Sequence, residues 1–196
     1  MMINAAVEGT SDTGAARRVI EVAGHTLARD PHVAGGRTRL DPKISKYNEA
    51  ARFGPWVVFR DSDSQCPVEL RRKFAASIRD WQPSFLLRIA HSMTESWFLA
   101  DTDGFADYFH IAQARVPRDP EALENGKQVL LGLCKNSSSR DIREEVVATD
   151  GGPGPLFVDH LNEFALTRWD VESACERSDS LRRAVDKIRA LSGGNG

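Results

Sequence analysis

Apolar residues from Ile3 to Val7 form a short uninterrupted run that stops at Glu8, as a buried strand with a polar end would. After Gly9, Ala15, Ala16, Val19, Ile20 and Ala23 recur at helical spacing. This predicts a helix from about Asp12 to Ala23, capped by Thr10 or Ser11 and closed at Gly24. The stretch His32 to Lys46 is polar and glycine-bearing and reads as a loop with at most one short strand. Trp56 to Phe59 is wholly apolar and predicts a second buried strand. Pro67 suits a first helical turn, and Leu70, Phe74 and Ile78 line one face of the helix behind it. Ser84 to Ala90 is the next strand, and "HSMTESWFLAD" reads as helical with Met93 and Trp97 on one face.

Strands alternating with helices predict an α/β fold, a mostly parallel sheet flanked by helices. From about Thr102 the pattern becomes helical throughout. Its clearest stripe is Leu181, Ala184, Val185, Ile188 and Leu191. The expected organisation is an α/β core over 1–101, a helical extension packed on it over 102–191, and a disordered tail over 192–196.

Composition changes this picture little. The 196 residues are 41% apolar and 28% charged, with a formal net charge of -2, so neither bulk nucleic-acid nor membrane binding is advertised. Cys66, Cys134 and Cys175 are dispersed and form no CxxC, which argues against a disulfide framework and a thiolate zinc site. The five histidines form neither HxH nor HExxH, and no P-loop is present. The N-terminus lacks a signal-peptide pattern, and no segment approaches the roughly 18 apolar residues of a membrane span, so a cytoplasmic protein is expected.

The candidate chemistry lies where the strands end. In an open parallel sheet, function collects at the carboxyl ends of the strands. Glu8 follows the first strand, and Asp61 and Asp63 follow the second. Residues two apart in an extended segment point to the same side, so the two aspartates can aim at one point, and Glu8 reaches it if the strands are neighbours. Three hard oxygen ligands suit Mg²⁺ or Mn²⁺, which would orient a phosphate ester and activate water. The competing structural roles are a helix-dipole contact for Glu8 and, for Asp61 and Asp63, capping of the helix near Pro67 or shaping of a turn.

The order "VEGTSD" then "FRDSDSQ" resembles the Toprim fold of topoisomerases, primases and OLD-family nucleases, a glutamate after the first strand and Asp-x-Asp after a later one. Nearly the whole chain resembles the Toprim-like family numbered 4276 among the domains of unknown function, through those segments and "RIAHSMTESWFLAD", "GKQVL", "GPLF" and "ERSDSLRRAVDKI". The resemblance implies a Toprim-like fold, metal ligation by Glu8, Asp61 and Asp63, and a further catalytic or metal-site acid at Glu95. It also implies a partner ATPase of the kind found in phage-defence pairs.

The expected activity is Mg²⁺-dependent cleavage of a phosphodiester in a nucleic acid. The alternative is a non-catalytic metal- or partner-binding regulatory subunit. Arg88, inside an apolar strand, either binds substrate phosphate or pairs with a carboxylate. Arg37, Arg39 and Lys43 are candidate phosphate contacts or a merely exposed basic loop. Lys127 matches the resemblance as a substrate-binding position, against the default of a surface lysine.

Overall fold

The computed structural model describes residues 1–63, 65–91 and 93–191. The expected disordered tail, 192–196, lies outside them. The strands are β1 (Met2–Val7), β2 (Thr26–Leu27), β3 (His32–Val33), β4 (Trp56–Asp61) and β5 (Phe85–Ala90). The sheet order is β2-β1-β4-β5, and β3 also pairs with β1. Every pairing is parallel. Residues 26–27 sit beside the start of β1 and 32–33 beside its end, so the two short strands share one edge of β1 while β4 takes the other. Neither short strand stands out in the sequence, because two-residue segments carry no periodicity. The fold is α/β, a mostly parallel sheet flanked by helices with a C-terminal helical part.

Helices in the first half are α1 (Thr13–Val22), α2 (Arg37–Leu40), α3 (Ile44–Ala50), α4 (Pro67–Ser77) and α5 (Thr94–Ala100). The expected loop over His32–Lys46 is thus largely helical. Leu40, Ile44 and Tyr47 recur at spacings of four and three and are buried, a short apolar face hidden among polar neighbours. The second half supplies α6 (Thr102–Tyr108), α7 (Gly126–Cys134), α8 (Arg140–Glu145), α9 (Phe157–Thr167), α10 (Val171–Arg177) and α11 (Asp179–Arg189).

The pleat sorts side chains between two cores. Ile3, Ala5, Val7, Val57, Phe59 and Ala90 face α1, α5, α9 and α11. Ala6, Val58, Phe85 and Leu87 face Leu40, Ile44 and Tyr47 on one side and Leu70 and Phe74 of α4 on the other. The larger core is continuous from β1 to α11, so residues 102–191 complete the packing of one sheet face. Among the described residues, no helix is long and apolar enough to cross a membrane.

Candidate functional site

Strand alternation puts Glu8 and Arg60 on the face of Ala6 and Val58, and Asp61 on the face of Val57 and Phe59. The carboxyl ends of β1 and β4 therefore carry two charge clusters, one on each side of the sheet edge.

The first is built on Arg60, whose side chain is 1% exposed. Its guanidinium ion-pairs Glu8 at 3.2 Å, Asp41 at 2.8 Å and Asp63 at 2.9 Å, and it donates to the carbonyl of Asp61. Burial opposes the charge on Arg60, but Asp41, Glu8 and Asp63 outweigh it and hold its pKa above the usual value. Glu8 Oε1 also accepts the Asp61 N–H at 2.9 Å. Burial raises the Glu8 pKa, and Arg60 offsets only part of that rise. The N–H groups of Gly35 and Gly36 donate to the Glu8 carbonyl at 2.9 and 2.8 Å. Both glycines have positive φ, 81° and 102°, which a side chain would strain. This turn delivers Arg37 to Asp63, 3.2 Å away, and presents Arg39 beside Gly35.

Asp63 does not follow the extended alternation expected of Asp-x-Asp. Its φ is +47°, left-handed, so its carboxylate turns to Arg60 and Arg37 while Asp61 turns the other way. Nor does either aspartate cap α4, whose N-cap is Cys66 with no side-chain hydrogen bond. Asp61 instead reaches the start of α5. Its Oδ1 accepts the Thr94 N–H at 3.0 Å and the Thr94 hydroxyl at 2.9 Å. A carboxylate there meets otherwise unpaired N–H groups of the first turn.

The second cluster comprises Asp61, Glu95 and Asp12. Glu95 follows Thr94 in α5 and is 4% exposed. Asp12 ends a 3₁₀ turn over Thr10–Asp12, with Oδ2 accepting the Gly9 N–H at 2.9 Å. Helix α9 pins that turn through Asn162, which donates to the Thr10 carbonyl and accepts the Gly14 N–H at 2.7 Å. Burial, then Asp12, Glu95 and Glu8, push Asp61 well above the usual carboxylate range. Burial and Asp12 push Glu95 up to about 7. Burial also raises Asp12. Lys127 acts against these shifts at both Asp12 and Glu95.

Lys127 reaches this cluster because of the residue before it. A Cβ on Gly126 would lie 2.6 Å from Ser96 Oγ, so glycine lets α7 close onto α5. The Lys127 ammonium also sits 4.9 Å from the centre of the Phe157 ring.

Glu8, Asp61, Asp63 and Glu95 are thus all at the sheet's carboxyl edge, but in two groups. Glu8 and Asp63 share the Arg60 guanidinium, and Asp61 and Glu95 share Asp12. Among the described residues, no group of three or more His, Cys, Asp or Glu side chains is disposed to hold a metal ion. The donors are nevertheless hard carboxylate oxygens, the ligand type of a divalent cation, and Lys127 does not cancel the raised proton affinity of Asp12 and Glu95. Arg88 lies away from both groups, on β5 beneath α11.

Asp12, Asp41, Arg60 and Thr94 are site residues that the sequence reading missed. Arg60 carried a signal, a lone charge continuing a buried apolar strand. Asp12 carried a weaker one, four residues beyond Glu8 within "VEGTSD". No family model, curated protein or solved structure matches the chain.

Proposed function

We propose that the chain is a divalent-metal-dependent phosphodiesterase acting on nucleic acid through the carboxyl cluster around Asp61. The supporting observation is the burial of Asp61, Glu95 and Asp12 together at the carboxyl edge of a parallel sheet, with their proton affinities raised. Clustered buried carboxyls at such an edge are expensive unless a cation or a proton joins them.

In this reading Asp61 and Glu95 would hold Mg²⁺ or Mn²⁺, with Glu8 beside them. Asp63 would join by leaving Arg60. The ion would polarise the phosphoryl group and lower the pKa of attacking water. Glu95, as a ligand of the ion, would lose its raised proton affinity, so proton transfer to and from the attacking water would fall to Glu8, the carboxyl beside them. Arg37, exposed next to Asp63, and Arg39 would meet the phosphate backbone from the glycine turn. A partner ATPase belongs to this reading through the family resemblance alone.

The test is calorimetric titration with Mg²⁺ and Mn²⁺ of the wild type and Asp61→Asn, beside cleavage assays on plasmid, single-stranded DNA and RNA. Binding and cleavage that both disappear in the variant are expected. A wild type that binds neither ion overturns the reading.

One observation favours a second reading. Arg60 already bridges Glu8 and Asp63, the position in which the family resemblance expects a metal. A non-catalytic binding module with an internal cation would look like this. It requires folded wild type with no divalent binding.

A further inference from the structure

Arg88 is 8% exposed, and among the described residues its charge has no carboxylate partner. Its Nε donates to the Leu87 carbonyl at 2.9 Å and its Nη1 to the Arg183 carbonyl at 3.4 Å. Among the described residues no acidic side chain pairs with Arg88 or with Arg71, which stands near enough to disfavour its charge. Burial and Arg71 pull the Arg88 pKa down to about 10, so it stays protonated at neutral pH. A buried guanidinium bonded only to carbonyls, with a second one beside it, is costly and lacks an anion.

Both arginines line a cavity of about 420 Å³ between α4 and α11, along β5, the edge strand of the sheet. Arg183 and His91 also line it. The two carboxylates on its wall are already engaged. Asp179 binds Arg182 and Arg183, and Glu121 accepts from the Ser178 hydroxyl and the Ser180 N–H. Ser180 Oγ accepts from Trp97 Nε1 at 2.7 Å and from the His91 N–H at 3.2 Å, which ties α5, the end of β5 and α11 into a fixed wall.

We propose that this cavity is a binding subsite for a phosphate group, clamped between the guanidinium groups of Arg88 and Arg71. Two planar donor forks match the several acceptor oxygens of a phosphate better than the two of a carboxylate. The cavity shares Pro67, His91 and Glu121 with a neighbouring one of about 730 Å³ that reaches Ser62 and Gln65, beside Asp61. A phosphodiester chain in this groove would set one phosphate at Arg88 on its way to the carboxyl edge. A free phosphomonoester would fill the same subsite. The subsite does not depend on the catalytic reading.

The experiment is calorimetry at low ionic strength with three probes: inorganic phosphate, adenosine 5′-monophosphate, and a short oligothymidylate without terminal phosphates. Wild type, Arg88→Met, Arg71→Ala and Asp61→Asn are compared. Wild type is expected to bind at least one probe. Arg88→Met and Arg71→Ala should each weaken that binding about tenfold or more, the worth of a charge-assisted hydrogen bond. Asp61→Asn should leave phosphate binding intact even if it abolishes cleavage, which separates this subsite from the metal reading. Preference for the first two probes identifies a monoester, and preference for the oligonucleotide identifies the diester backbone. Arg71 is exposed on α4, so its variant keeps the test alive if Arg88→Met does not fold. No binding of any probe by wild type, or binding unchanged in Arg71→Ala and in a folded Arg88→Met, overturns the proposal.

Discussion

Thr94 donates twice to a single oxygen of Asp61, from its backbone N–H at 3.0 Å and its hydroxyl at 2.9 Å. This pair joins the end of β4 to the start of α5 and orients the carboxyl cluster. Thr94→Val removes the hydroxyl at nearly constant volume and keeps the backbone bond. The expected cost is about 1 kcal/mol, the net worth of a typical hydrogen bond. The Asp61 pKa should rise further, because Thr94 now holds it down. Urea denaturation checks the first effect. A variant as stable as wild type would mean that the hydroxyl contributes nothing at this junction.

Glu95 sets the pH dependence. Its folded-state pKa of about 7 lies above the ordinary 4.5, so the folded protein holds this proton more tightly than the unfolded chain. The resulting stability is complete below pH 4.5 and is lost as pH rises to about 7. That rise corresponds to roughly 3 kcal/mol. Glu95→Gln should therefore be more stable than wild type above neutrality and have a flatter stability profile. Denaturation across the pH range decides this. A wild-type profile that already climbs from acid to neutral pH, with Glu95→Gln no more stable above neutrality, would contradict the buried-acid assignment.

Arg60 ion-pairs with three carboxylates from a position 1% exposed. Arg60→Met leaves Glu8, Asp41 and Asp63 facing one another without it. The expected loss is about 3–5 kcal/mol, as for one partner removed from a buried pair. Arg60→Lys should recover only part of it, because one ammonium cannot reproduce the guanidinium fork toward three acceptors. Thermal denaturation of both variants would show this order. Equal stability of the two would argue that charge alone matters.

Two glycines of α7 should respond in opposite directions. A Cβ at Gly126 would meet Ser96 Oγ at 2.6 Å and the Ser96 backbone nitrogen at 3.1 Å. Gly126→Ala should cost about 1–3 kcal/mol through overpacking. A Cβ at Gly132 would meet nothing within 4 Å, so Gly132→Ala should gain up to about 1 kcal/mol from helix propensity. Denaturation midpoints test both. A neutral Gly126→Ala would mean that α7 does not need its close approach to α5.

Local pattern by itself determined the strands β1, β4 and β5, helices α1 and α4, the stripe of α11 and the α/β class. Each depends on a periodicity of two or of three to four residues that a single buried face imposes. It also located Glu8, Asp61 and Asp63 beside strand ends, whereas Glu95 was singled out only through the family resemblance. Tertiary structure alone decided how they are shared out. Extended alternation would have aimed Asp61 and Asp63 together, but a left-handed φ at Asp63 separates them. Arg60 is brought to Glu8 by the β1–β4 pairing and to Asp41 by the fold-back of residues 35–43. Asp12 acts electrostatically on Glu95 from the turn that α9 pins after β1, and Lys127 acts on both from α7, which closes onto α5 at Gly126. Arg88 and Arg71 line one edge cavity that no spacing along the chain announces. Burial and long-range charge proximity depend on which elements pack together, and one-dimensional periodicity carries only the orientation of each element toward its own core.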